Sequence, residues 1–204
     1  MFDPEAFERD GYCAPFRAIA NGRMRERLPA IDEALATPGP DSRSRAQSRH
    51  LDSAVVREIC EAPSILERVH QVLVPSIVLW RSNFFLKEPG DPPAAWHRDL
   101  ESWGSLLTPM KNVSAWIAIE NVTLRSGCLE VRPRSDEGRE DGIAMELSSG
   151  ECFLFDEALL HRARGNDTSQ RRLGLAVRFT LPNVTVDLTR LFPGYRPIRI
   201  DAPV

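Results

Sequence analysis

The arrangement of apolar and polar positions changes character about a third of the way along the chain. Up to residue 74, apolar residues recur at helical spacing between breakers. Asp3 is placed to cap a first helix, with Pro4 at the first position, where a missing N–H costs nothing. Arg9-Asp10-Gly11-Tyr12 then ends it. Further helices are expected at about 23–36, 53–61 and 64–73, the last two with Ser53 and Ser64 as N-caps. Residues 37–45, rich in proline, glycine and polar side chains, read as a loop.

From residue 75 the pattern turns to strands. Apolar, β-prone runs occupy 76–80 leading into 83–86, 113–122, 128–131, 145–147, 152–155, 172–180 and 184–187, with a turn at Ser148-Ser149-Gly150. Short strands after a helical start predict a mainly β fold, a sandwich or barrel with the N-terminal helices packed outside. A single domain is expected over 1–204, helical to about 74 and β from about 75 to 190. The run 171–179 alternates sharply: Leu173, Leu175, Val177 and Phe179 share one face, and Arg172, Gly174, Ala176 and Arg178 the other. Arginine beside glycine and alanine on an inward face implies room kept for a ligand. An interior guanidinium needs a counter-charge, either an internal Asp or Glu or the carboxylate of a ligand held in a two-pronged contact.

Composition narrows the function classes. A length of 204 residues fits one ordinary domain, and 42% apolar with 27% charged residues is the balance of a soluble globular protein. A net charge of −3 argues against a nucleic-acid partner gripped by a broad basic surface. No apolar run is long enough for a bilayer, so no membrane partner is expected, and Met1-Phe2-Asp3-Pro4-Glu5 lacks the regions of a signal peptide. Cys13, Cys60, Cys128 and Cys152 are scattered without a CxxC pair, which fits free thiols in the cytoplasm.

Chemistry concentrates in Trp96-His97-Arg98-Asp99 and in His161, at the end of the run 151–160. On a strand, the i, i+2 spacing of His97 and Asp99 puts both side chains on one face. Two histidines and one carboxylate bind Fe(II) on one triangular face and leave three positions open. Zinc prefers a closed four-ligand set, often with thiolates. The bare His-x-Asp pair is a weak signal, and the third ligand gives it weight. His50 and His70 have no partner at ligand spacing and read as structural. Asn83 and Phe85 share a strand face that could point inward, as do Ser114 and Trp116. Asn83 and Ser114 are candidates for cosubstrate contacts, and Phe85, Trp103, Trp116 and Arg98 for substrate contacts. Trp103 reads equally as core, and Arg98 as solvated.

The segments Phe7-Glu8-Arg9-Asp10-Gly11-Tyr12, Trp96-His97-Arg98-Asp99, Trp103, Val113-Ser114-Ala115-Trp116-Ile117-Ala118-Ile119, Gly127-Cys128-Leu129-Glu130-Val131, Ser149-Gly150-Glu151 and His161…Asn166…Ser169…Arg172 follow one another in an order that resembles the phytanoyl-CoA dioxygenase family. The resemblance implies a double-stranded β-helix, the jelly-roll core also found in cupins. It implies Fe(II) on His97, Asp99 and His161, and 2-oxoglutarate chelating that iron, with Arg172 rather than Arg171 on its C5 carboxylate. With O₂, such a site hydroxylates a C–H bond of a small metabolite, free or tethered to a carrier, as in specialised biosynthesis. Related iron halogenases have Ala or Gly where Asp99 stands, so Asp99 favours hydroxylation. Desaturation, epimerisation or cyclisation on the same site is the alternative outcome, and a catalytically silent jelly-roll binding protein the alternative class. The stretch from Asp99 to His161 is short for the family, which makes the loop at 37–49 a candidate lid by analogy.

Overall fold

Helix boundaries follow local capping chemistry. The structure, a computed structural model, describes residues 2–41, 44–73, 76–103, 106–187 and 195–201. Asp3 Oδ1 accepts the backbone N–H groups of Glu5 (3.0 Å) and Ala6 (3.1 Å), and Gly11 leaves the helix at φ 82°, so α1 spans Pro4–Asp10. After β1 (Phe16–Arg17) comes α2 (Asn21–Ala36), then α3 (Ala54–Cys60), which Ser53 caps through the Val56 N–H. The expected Ser64 cap is displaced: α4 spans Pro63–Val72, because proline takes the first position, and the Ser64 hydroxyl donates to Ala18 O (3.0 Å) instead.

The strands are β2 (Ser76–Lys87), β3 (Leu107–Thr108), β4 (Val113–Ala118), β5 (Leu129–Arg132), β6 (Ile143–Met145), β7 (Glu151–Asp156), β8 (Leu160–Ala163), β9 (Arg172–Thr180), β10 (Thr185–Val186) and β11 (Ile198–Asp201), with the short helix α5 (Asp99–Trp103) after β2. The expected strand at 113–122 stops at Ala118, and that at 145–147 lies earlier, at Ile143–Met145. The expected core boundary near 190 lies outside the described residues.

A six-stranded antiparallel sheet has the order β1-β7-β4-β9-β2-β11, and a three-stranded sheet the order β6-β5-β8. Leu173, Leu175, Val177 and Phe179 of β9 pack with Met24 and Ile31 of α2, Val56 and Ile59 of α3 and Ile65 and Val69 of α4, so the helices cover the outer face of the large sheet. On the opposite face Trp116, Phe153, Phe155 and Ala176 meet Leu129, Val131 and Met145 of the small sheet. The result is a jelly-roll of cupin type, with helices on one side and an interior between the sheets.

The second half of the expected lid loop is part of the sheet edge. Ser48 N–H donates to Ser82 O (2.7 Å) and Phe84 N–H to Ala46 O (2.9 Å), beside β2. No described residue of 37–49 lines the cavity, while Ser42 and Arg43 of that loop lie outside the described residues. Among the described residues, no helix is long and apolar enough to cross a membrane.

Candidate metal centre and its cavity

His97 and His161 meet through a β-bridge rather than through the strand first expected. Each backbone N–H donates to the other's carbonyl at 3.0 Å, which joins the 97 segment to β8 and sets the two rings 4.4 Å apart. Asp99 does not continue a strand. It opens α5, whose Leu100 N–H is anchored on Glu157 O (2.9 Å). The same-face rule for strands therefore does not place Asp99. The helical turn does, and it brings Asp99 Oδ1 to 4.0 Å from His161 Nε2. One ligand atom from each of His97, Asp99 and His161 lies within 4.8 Å of the others.

Hydrogen bonding prepares these groups for a cation. His97 Nδ1 faces Ala95 O (2.9 Å) and His161 Nδ1 faces Leu159 O (3.0 Å), in each case the carbonyl two residues back. With Nδ1 carrying the proton, each Nε2 keeps its lone pair. Burial pushes the His161 pKa below the usual range, favouring the neutral imidazole that a metal requires, although the Asp99 charge opposes this. Asp99 is 5% exposed, and its Oδ2 is buried without a hydrogen-bond partner. An orphan carboxylate oxygen beside two free imidazole nitrogens is costly to bury unless a cation joins them. The donor set fits a divalent metal with open positions.

Arg172 sits in the same cavity, 1% exposed. Its Nη1 donates to Phe85 O (3.2 Å) and its Nη2 to Gly127 O (2.7 Å), while Nε has no partner. Among the described residues no Asp or Glu pairs with it, so an internal salt bridge is not its counter-charge. Burial pushes its pKa down to about 10, which leaves it cationic at neutral pH. Gly127 turns its carbonyl to Arg172 at φ 93°, and a Cβ there would stand 2.8 Å from Arg164 O.

The small residues beside Arg172 have a different purpose from the one expected. A Cβ on Gly174 would lie 2.2 Å from Trp116 Cζ2. The room at Gly174 is therefore filled by the indole, which then forms a cavity wall with the Arg172 guanidinium 5.4 Å from its centroid. Ala176 does border the cavity, whose volume is about 370 Å³.

The candidate residues divide by position. Phe85 and Trp116 line the cavity with His97, Asp99, His161 and Arg172. Asn83 and Ser114 occupy inward strand positions but do not line it. Asn83 Oδ1 accepts from Arg81 Nε (3.4 Å), and the buried Ser114 hydroxyl accepts from Asn112 Nδ2 (3.0 Å). Trp103 packs edge-on against Trp80 at 5.8 Å and under the Arg178 guanidinium at 4.1 Å, off the cavity wall. Arg98 is held by Glu137 (2.8 Å) and Ala158 O (3.1 Å), also away from it. His50 is buried against Ser82 Oγ (2.7 Å), as a structural histidine would be. Arg178, a residue with no role expected from sequence, lines the cavity at 3% exposure. The signal was present, since Arg178 shares the inward face of β9 with Arg172.

Comparison with known proteins bears on the family and the fold. "Dioxygenase lolE1" of Epichloe uncinata is 26% identical over 161 residues, covering 71% of this chain and 62% of that protein, so the match spans less than two thirds of the relative's length. The solved structure "CytC3 with Fe(II) and alpha-ketoglutarate" is 25% identical with a TM-score of 0.79, over 96% of this chain and 84% of that one. The "non-heme alpha ketoglutarate dependent epimerase SnoN" has the same fold at 21% identity and a TM-score of 0.80, over 98% and 93% of the two chains. The family model for phytanoyl-CoA dioxygenase matches residues 7–174, most of the chain and both halves of the metal centre, and the chain therefore belongs to the phytanoyl-CoA dioxygenase family.

Proposed function

We propose that this protein is a non-haem Fe(II)/2-oxoglutarate-dependent oxygenase that hydroxylates a C–H bond of a small molecule, free or carrier-tethered. The observation that carries this reading is the orphan Oδ2 of Asp99, buried beside two imidazoles in the cavity that also holds Arg172. Bound there, iron with 2-oxoglutarate and O₂ supplies an oxidant able to attack unactivated C–H bonds, with succinate and CO₂ as coproducts. His97, Asp99 and His161 would hold the metal. Arg172, fixed by two backbone carbonyls, offers its free Nε to the C5 carboxylate. Trp116, Phe155 and Leu129 form an apolar wall that keeps water from the reacting centre.

A silent binding module would have no reason to bury an unpaired carboxylate oxygen and an unpaired guanidinium nitrogen in one cavity. The test is turnover. Purified protein given Fe(II), 2-oxoglutarate and O₂ forms succinate, and the Asp99→Ala variant forms none. Succinate formation that is equal in the two proteins, or absent from both, overturns the reading.

A further inference from the structure

The cavity that holds Arg172 is also lined by a second buried arginine, Arg178. Arg178 lies on the inward face of β9, six residues beyond Arg172. At about 3.3 Å per residue their Cα atoms are about 20 Å apart, so a C5 carboxylate held by Arg172 is not shared with Arg178. Nε and Nη1 of Arg178 are buried without hydrogen-bond partners, and no Asp or Glu forms an ion pair with it among the described residues. The acidic group in its field is Asp99, and that carboxylate belongs to the metal. Two aromatic rings hold the guanidinium without neutralising it: Trp103 at 4.1 Å and Phe85 at 5.9 Å. Directly across the strands, Arg81 adds a second positive charge, but it is bonded to Gln47 Oε1 (3.1 Å) and Asn83 Oδ1 (3.4 Å).

A divalent metal and Arg172 balance Asp99 and a dianionic cosubstrate. Arg178 then has no hydrogen-bonded anion of its own beside the reacting centre, and an anionic group placed there offsets the cost of its burial. Much of the surrounding wall is apolar, with Phe85, Leu86, Pro92 and Phe155 contributing to it. Phe85 and Leu86, 41% and 47% exposed, are two of the three exposed large hydrophobic residues among those described.

We infer that Arg178 is a substrate-binding residue and that the substrate is an apolar molecule bearing a carboxylate or comparable oxyanion, seated on Arg178 beside the metal. This rests on the oxygenase reading for the place of the cosubstrate. A negative group anchored there fixes which part of the apolar body reaches the metal.

The test compares an acid with its neutral isostere. 3-Phenylpropionate and 3-phenylpropanamide are titrated calorimetrically into wild type, Arg178→Gln, Arg178→Lys and Arg172→Gln. Each protein is studied metal-free and after anaerobic loading with Fe(II) and saturating 2-oxoglutarate. Loaded wild type should bind the acid at least about tenfold tighter than the amide, the worth of one charge-assisted contact. Arg178→Gln should abolish that preference while keeping the visible Fe(II)–2-oxoglutarate band. Arg178→Lys, which keeps the charge in the event that the glutamine variant folds poorly, should retain part of the preference. Arg172→Gln should lose 2-oxoglutarate and keep the acid preference in the metal-free protein.

Several results overturn the inference: wild type binding neither probe, an acid preference unchanged in Arg178→Gln, or loss of the visible band from Arg178→Gln as from Arg172→Gln, which would make Arg178 a cosubstrate or metal-positioning residue. Failure of the oxygenase reading looks different, with no band in wild type while the metal-free acid preference still depends on Arg178.

Discussion

Substituting Gly174 by alanine tests the link between sheet packing and the cavity. The added Cβ would stand 2.2 Å from Trp116 Cζ2, 2.5 Å from Cη2 and 2.9 Å from Cε2. Carbon atoms pack at about 3.5–4.0 Å, so the indole must retreat by more than about 1 Å. It has little freedom to do so, because Trp116 is 3% exposed on a strand paired on both sides, to Phe153 and to Ala176. Overpacking of this kind costs about 1–3 kcal/mol, and contact with three ring atoms puts Gly174→Ala near 3 kcal/mol. For a chain of this size that lowers Tm by about 6–12 °C. Differential scanning calorimetry reads the shift. 2-Oxoglutarate affinity should also fall, because Trp116 lies beside Arg172. In a Trp116→Leu background the clashing ring is gone, so the same substitution should cost less than about 1 kcal/mol. Gly174→Ala with a wild-type Tm, or with the same cost in both backgrounds, would refute the reasoning.

Other perturbations address single groups. Arg172→Gln should weaken 2-oxoglutarate binding by about 1.5–3 kcal/mol, roughly 10- to 150-fold, by calorimetry on the Fe(II)-loaded protein. Asp99→Ala should abolish the rise in Tm that Fe(II) gives wild type, read by differential scanning calorimetry with and without the metal. His50, 1% exposed, has its pKa pushed down to about 4 by burial and by the Arg57 charge. The unfolded state therefore binds more protons between about pH 4 and 6.5, and stability due to His50 is lost as pH falls through that window, by about 3 kcal/mol in all. Buried Asp156, pushed up to about 6, acts in the opposite direction, so the readout is the difference between wild type and His50→Gln in urea midpoint against pH. That difference should have a slope of about one proton, and a parallel pair of curves would contradict it.

The sequence was most legible where local rules decide. The bounds of β9 and both its faces follow from strict alternation, and α1 follows from an Asp cap, a first-position proline and a closing glycine. That His97, Asp99 and His161 come together was readable, but the way they do so was not. A bridge between residues 97 and 161 and a helical turn at Asp99 are set by tertiary pairing, which no strand periodicity at 96–99 reports. The two-residue strands β1 and β3 are too short to show a period. Gly174 was read as space for a ligand because a single strand does not reveal that Trp116 of its neighbour fills the gap. Arg178 was visible on the inward face but lacked a role until its missing partners and its place beside Asp99 were known.

The central claim is that His97, Asp99, His161 and Arg172 form one site for Fe(II) and 2-oxoglutarate. Anaerobic titration of the purified protein with both tests it most directly. The account predicts a weak visible metal-to-ligand band that saturates at one equivalent of each and is absent from Asp99→Ala. Iron binding without any such band, or a band that survives Asp99→Ala, would contradict it.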